Sequence, residues 1–446
     1  MKTNFQELDL YQGIWHNVCM SGESLVLEDG CDEGEYLSPE IHAPLFENLV
    51  CCWNADVYPG GWTETQARVY LPQKACWSPW GSWGQWSPYQ ERHNHSGKYP
   101  EAEPLIRMNC DILEPVPEAA AALQIRVLLH RAENGTSPRL RRVTAALQNR
   151  KLAEIPSREG TVPELPERCV LNTPACSQII RDPEIGGCIC NPTTISVLLS
   201  DRGTQVLPEI MALSTVDLIE GFGNWTYVAA GAGMYGYRSY ARFGDLDSLR
   251  EEIAAGRSVG VSVHYANTRE KAEQRGLPYL EGSPCTTAGH ILTVRGYDPE
   301  HIYVSDSAAG SDEGAMLCYD REEFLRAWDG RLYYHIDSVP ECAGTEPVFS
   351  MAELKKDEQD QYEIIYNGKE FPVQAQWLQD KKHTAGRMCL MARQKREYPA
   401  PRMDANDRFI YPVPSENGHF ALPEGEWDVY LLSNDGFRLF SFKKDL

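Results

Sequence analysis

Over the first third of the chain, apolar and polar positions alternate in short bursts. Leu45-Phe46-Glu47-Asn48-Leu49-Val50 and Thr65-Gln66-Ala67-Arg68-Val69-Tyr70 are brief apolar and aromatic runs, broken at close spacing by Gly, Pro, Asn and Asp. Many such runs in succession predict an all-β sandwich. Residues 122–130, with Leu123, Ile125 and Val127 on one side, and residues 140–145 add two strands, and the proline-rich stretch 155–166 reads as a linker.

From about residue 167 the pattern changes. The run after Pro192 and residues 246–255, where Leu246, Leu249 and Ile253 recur at helical spacing before the stop signal Gly256, predict helices. Residues 258–265, 291–297 and 302–306 are short β-branched or apolar strands. Helices first and strands second predict an α+β domain. Beyond the polar stretch 353–361, Asn367-Gly368 and Asn434-Asp435-Gly436 lie between apolar runs and predict two hairpins. The expected organisation is therefore multidomain α+β: a β-sandwich over 1–165, an α+β unit over 166–344 and a small β domain over 345–446.

Composition narrows the function. With 42% hydrophobic and 24% charged residues the chain is globular rather than disordered. A net charge of −22 argues against nucleic acid and anionic membrane as partners, because phosphate binding needs a basic footprint. With no apolar run long enough to span a bilayer and polar residues where a signal peptide needs an apolar core, a cytoplasmic location is expected. Most of the 14 cysteines are then expected as free thiols. Cys169, Cys176, Cys188 and Cys190 lack the paired spacing of a zinc site, so neither metal nor cofactor is expected. Gly231-Ala-Gly233 reads as close helix packing.

The candidate chemistry centres on Gly186-Gly187-Cys188-Ile189-Cys190-Asn191-Pro192-Thr193. Pro192, with Asn191 as a cap, predicts a helix start immediately after Cys190, and a helix N-terminus favours a thiolate. His290, 100 positions later at the start of a predicted strand, is a candidate to take the thiol proton. Asp306, at the end of the next strand, can orient the ring. Gln178 carries a side-chain amide able to donate to an oxyanion beside the Cys190 N–H. Cys188 is a competing thiol, read as loop packing or a redox-sensitive neighbour. Trp77, Trp80, Trp83 and Trp86 recur every three residues, which on a strand places two on each face, either as core or as a surface for sugar or peptide.

Taken in order, Ser177-Gln178, Gly186-Gly187, Cys190-Asn191-Pro192-Thr193, Gly223-Asn224-Trp225, the Leu-rich stretch 246–256, Gly289-His290 and Asp306 resemble the pattern of the bacterial C39-like family of papain-fold cysteine peptidases. The resemblance covers about 169–320. Two positions depart from it: Ile189 stands where an aromatic residue is frequent, and Asp306-Ser307 where Asp-Pro is. The N-terminal Trp53, Gly61-Trp62 and Trp77 to Trp86 are more loosely similar to the β-rich domain that precedes the peptidase unit in some relatives.

The resemblance implies a papain-like fold and peptide-bond hydrolysis, with Cys190 as nucleophile, His290 as base and acid, Asp306 as orienter and Gln178 as oxyanion donor. Asn224, Trp225 and Gly289 would line the substrate cleft. The expected partner is a peptide or protein substrate, with carbohydrate a candidate ligand of the N-terminal domain. A thiol acyltransferase, or a glycan- or peptide-binding protein with a relict triad, are the alternatives.

Overall fold

The computed structural model describes residues 2–89, 104–151, 165–181, 185–217 and 221–345, with the strand backbone of 353–356, 362–366, 369–373, 389–394, 409–410, 425–433 and 436–444. The expected linker falls almost wholly outside the described residues, as do residues 367–368 and 434–435 of the two expected hairpin turns.

Two seven-stranded antiparallel sheets make up the N-terminal part. Asn48–Asp56 and Arg139–Asn149 lie at the centre of the first, Trp62–Leu71 and Ala120–His130 at the centre of the second. Alternation sets the faces, as it must in a strand. Leu123, Ile125, Val127 and Leu129 are at most 1% exposed and fill the core between the sheets. Residues 45–50 are not one strand. Ile41–Phe46 pairs with Ala120–His130 and Asn48–Asp56 with Arg139–Asn149, so the chain changes sheets at Glu47, whose N–H bonds Gln148 O at 2.8 Å.

The tryptophans divide two and two, but not as strict alternation predicts. Trp83 and Trp86, three apart on the strand Gly81–Trp86, are both fully buried, while Trp77 and Trp80 stay partly exposed. Pairing with Trp62–Leu71 shifts register between Ser82 and Gln85, and Gly84 sits at φ 85°. A left-handed residue suits glycine, and the extra residue of a bulge returns Trp86 to the inner face.

The middle part is a seven-stranded antiparallel sheet with helices packed on it, ordered Ser239–Phe243, Leu332–Ile336, Val259–Tyr265, Thr287–Tyr297, His301–Ser305 and Met316–Asp320, with Cys169–Val170 added beside Thr287–Tyr297. Helices α1 (Cys190–Asp201), α2 (Pro208–Thr215) and α3 (Trp225–Gly233) precede most of its strands, and α4 (Leu246–Ala254) lies between Ser239–Phe243 and Val259–Tyr265 in sequence. A capping box between Asp245 and Ser248 starts α4, and Gly256 follows its end at φ 80°. The glycines of α3 serve close approach: a Cβ on Gly231 would lie 2.4 Å from Thr215 Cγ2 of α2, and one on Gly233 2.6 Å from Asn54 Nδ2 of the sandwich.

Asn48–Asp56 is buried along nearly its whole length, because one face meets the sandwich core and the other meets the middle part. Val50, Cys52 and Ala146 share a core with Ile195, Leu198, Val228 and Ala232, while Tyr227 and Ala230 of α3 and Met234 just after it enter the sandwich core. Asn54, with no exposed surface, acts as a substitute peptide group: its Oδ1 accepts from Ser239 N at 3.1 Å and its Nδ2 donates to Ser239 O at 2.9 Å.

In the C-terminal part, Tyr362–Tyr366 pairs antiparallel with Lys369–Val373, and Gly425–Ser433 with Gly436–Lys444, the strands on either side of the two expected turns. Among the described residues, no helix is long and apolar enough to cross a membrane, and the cysteines are free thiols.

Removing the Asn54 amide strands a buried N–H and a carbonyl at once. Asn54→Ala should therefore lower stability by about 1–3 kcal/mol, read by urea denaturation of the full chain. An unchanged midpoint would show that Ser239 finds other partners.

Candidate active site

Helix α1 begins at Cys190 itself, with Ile189 as the residue before it and no side-chain cap. The expected cap, Asn191, does something else: its Oδ1 accepts from Tyr334 Oη at 2.8 Å and its Nδ2 donates to Gly223 O at 3.3 Å. Cys190 thus occupies the first helical turn, where backbone N–H groups lack intrahelical acceptors and the helix dipole favours negative charge. Thr194 Oγ1 donates to Ile291 O at 3.1 Å, pinning the N-terminal half of α1 to the strand that carries His290.

His290 is 5% exposed and Asp306 has no exposed surface. Their strands pair directly, and Asp306 follows the end of His301–Ser305, which brings His290 Nε2 to 2.7 Å from Asp306 Oδ1. An ionised carboxylate only accepts, so Nε2 is the donor and the other ring nitrogen, Nδ1, is left for the Cys190 thiol, with which the ring is hydrogen-bonded. Asp306 is further held by Tyr319 Oη at 2.8 Å, Tyr265 Oη at 3.2 Å and the Ala308 N–H at 3.0 Å.

The electrostatics follow from these contacts. Desolvation pushes the Cys190 thiol up, but the hydrogen bond and charge of His290, with the Ile291 and Asn191 N–H groups, outweigh it and hold the thiol below its ordinary range. Burial disfavours the charged His290 ring, yet Asp306 and Cys190 hold its pKa well above the usual imidazole value. Asp306 is held below the usual carboxylate range against its burial, chiefly by His290 and then by Tyr319 and the Ala308 N–H. Both shifts act in favour of a thiolate and an imidazolium over a buried carboxylate.

Nearby thiols behave oppositely. Burial pushes Cys285, whose Sγ lies 4.0 Å from Tyr265 Oη, up, and Cys176 up to about 12. Cys188 Sγ donates to Ile185 O at 3.2 Å.

Gln178 is 3% exposed and tightly oriented. Its N–H donates to Ser307 O at 2.8 Å, its Oε1 accepts from Ser307 Oγ at 2.7 Å and its Nε2 donates to Gly186 O at 2.9 Å. An amide nitrogen carries two hydrogens, so the second can serve an oxyanion. The loop is anchored below by a buried bidentate pair, Arg181 Nε to Glu209 Oε1 at 2.8 Å and Nη2 to Oε2 at 2.6 Å.

The structure thus links Cys190, His290 and Asp306 in one chain of contacts and ties Gln178 to Ser307, the residue after Asp306. The three residues expected in the cleft fare differently. Asn224 is fully buried as the cap of α3, accepting from Thr226 N and Tyr227 N and donating to Asp217 Oδ2 at 2.9 Å, so it is corrected to a structural residue. Trp225, 6% exposed, stacks on Tyr334 with centroids 4.1 Å apart, and its N–H donates to Asp111 Oδ2; it too is corrected to a packing residue. Gly289 is exposed beside His290.

Sequence reasoning missed Tyr265, Tyr319 and Ser307. Tyr265 carried a signal, since period-two alternation from Val259, Val261 and Val263 points it inward. Tyr319 carried none, because the strand Met316–Asp320 was not foreseen. Ser307 stood out only as the departure from Asp-Pro.

Residues 170–335 match the model of the Peptidase_C39 like family, and residues 28–148 match the model of a Peptidase C39 N-terminal domain. Among solved structures, a C39-like peptidase candidate from Bacillus anthracis is 18% identical, covers 40% of this chain and 100% of its own, and aligns with a TM-score of 0.31. A search of curated proteins found no match.

With the thiol held low and the imidazole high, iodoacetamide should alkylate Cys190 rapidly well below the free-thiol pKa of about 8.5. The rate should rise as pH passes upward through the lowered thiol pKa. Asp306→Asn removes the charge that holds the proton on His290, so alkylation near neutral pH should slow. The measurement is peptide mapping by mass spectrometry across pH; a Cys190 profile that follows an ordinary thiol in both proteins would refute the ion pair.

Proposed function

We propose that the protein is a cysteine peptidase hydrolysing amide bonds of peptides or proteins, a reading supported by the match of residues 170–335 to the Peptidase_C39 like family. One observation carries this reading: a thiol at a helix N-terminus bonded to an imidazole whose far nitrogen is 2.7 Å from a buried carboxylate. In this reading the unit over 166–344 is papain-like, pairing a nucleophile-bearing helix with an antiparallel sheet that supplies the base, and it is flanked by a sandwich over 1–165 and a small β domain over 345–446. The free thiols of the described residues suit a reducing compartment such as the cytoplasm.

The Cys190 thiolate attacks the substrate carbonyl carbon, and the electron pair of the C=O bond moves to oxygen. The Cys190 N–H and the second Gln178 amide hydrogen stabilise that oxyanion. As the tetrahedral adduct collapses, the C–N bond breaks and His290 gives its Nδ1 proton to the leaving amine, producing a thioester. Neutral His290 then takes a proton from water, the resulting hydroxide attacks the thioester, and collapse releases the acid and the Cys190 thiolate beside a reprotonated ring.

A peptide-library cleavage profile of the full chain against Cys190→Ala tests the reading. Cleavage should vanish in the variant, whereas products unchanged by the substitution would overturn the proposal, and products that partition toward an added amine would make the enzyme an acyltransferase. Gln178→Ala should lower kcat by about 10²–10³-fold, the worth of an oxyanion donor. Ser307→Ala frees the amide that Ser307 fixes, so kcat should drop about tenfold with little change in KM, and the pH profile of Cys190 alkylation should not move. A fall in KM alone or a shifted profile would contradict that positioning role.

A further inference from the structure

The outer face of the second sandwich sheet is neither bare nor apolar. Register pairs Trp62 with His130, Glu64 with Leu128, Gln66 with Arg126 and Arg68 with Gln124, and on the far side His130 with Glu33 and Leu128 with Glu35. The polar groups form one braced network. Arg68 Nε and Gln124 Oε1 are 2.9 Å apart, Arg126 Nε and Gln66 Oε1 2.9 Å, Gln66 Nε2 and Glu64 Oε1 2.6 Å, and Ser82 Oγ and Glu64 Oε1 2.6 Å. Trp80, partly exposed, lies over both guanidiniums, with Arg126 Cζ 4.6 Å and Arg68 Cζ 5.1 Å from its centroid. At the other end Trp62 stacks on His130, with centroids 5.1 Å apart and planes 8° apart, at the wall of an open cavity of 230 Å³ also lined by His16, Glu33, Glu35 and Leu128.

We propose that this face, from the Trp62 cavity to Trp80, binds a neutral oligosaccharide. Flat aromatic rings offer their faces to the apolar side of a pyranose, as they do to other apolar bodies, while the carboxylates and guanidiniums, braced from beneath by the buried Gln66 and Gln124 amides, meet its hydroxyls. From Trp62 to Tyr70 the strand runs about 27 Å, long enough for several sugar units in line. Glu33, Glu35 and Glu64, on a chain of net charge −22, oppose acidic glycans. A peptide added as a strand would be held by main-chain bonds at a sheet edge, whereas here the groups stand on a face. The proposal is independent of the chemistry at Cys190.

The test is isothermal titration calorimetry of the full chain with cellopentaose and chitopentaose, and with a sulfated heparin pentasaccharide. At least one neutral pentasaccharide should bind, the sulfated one should not, and Trp62→Ala or Trp80→Ala should each weaken binding about tenfold, the loss of one stacking ring. Glu35→Gln, which keeps the shape of the cavity, should weaken binding in the same direction, and thermal melts identify any variant that fails to fold. No heat with either neutral sugar, binding of the sulfated sugar alone, or binding indifferent to all the folded variants would overturn the proposal.

Discussion

A carboxylate with no exposed surface keeps its charge inside this protein, and the geometry around it explains why. Taking a lone carboxylate out of water costs several kcal/mol, so Asp306 would bind a proton unless its lone pairs were met. Four donors meet them: the His290 ring, two tyrosine hydroxyls and the Ala308 N–H. Burial and the Asp306 charge push both tyrosines well up, so they stay protonated and continue to donate. The carboxylate charge in turn makes a protonated imidazole affordable in a buried place, and the imidazolium does the same for the Cys190 thiolate. Each charge is tolerable because of the one behind it.

That relay needs three separate parts of the chain to meet, and backbone bonding brings them there. The strands bearing His290 and Asp306 are neighbours in one sheet, and the Thr194 hydroxyl helps to tie α1 to the first of them. The Gln178 loop docks through main-chain and side-chain bonds to Ser307, one residue past the carboxylate. Ser307 stands where the family pattern has proline. A proline there would offer the same carbonyl but no hydroxyl, so this chain orients its amide by a bond that the pattern lacks.

Much of this was legible in the sequence wherever local periodicity decides structure. The alternation of Leu123, Ile125 and Val127 and the spacing of Leu246, Leu249 and Ile253 gave the right elements and faces. The residues Cys190, His290, Asp306 and Gln178 were readable because each sits next to a punctuation mark: a helix start, a strand start, a strand end or a glycine loop. Features set by distant contacts were not. Asn191 has the composition of a cap, but Tyr334, 143 residues away, claims its side chain. The resemblance put Asn224 and Trp225 in the cleft, and nothing local says that Asn224 caps α3 and bonds Asp217, or that Asp111 and Tyr334 hold Trp225. Residues 45–50 read as one run because a change of sheet costs a single residue and leaves the hydrophobic pattern intact.

Helix α3 has consequences for how the chain can be divided. Its Tyr227 and Ala230 lie in one hydrophobic interior and its Val228, Ala229 and Ala232 in another. A cut at the proline-rich stretch would not separate two finished bodies; it would flay a strand and a helix of their shared packing and leave an oily face on each fragment. The two regions recognised by separate family models are therefore expected to melt together, in one calorimetric transition, as a single folding unit.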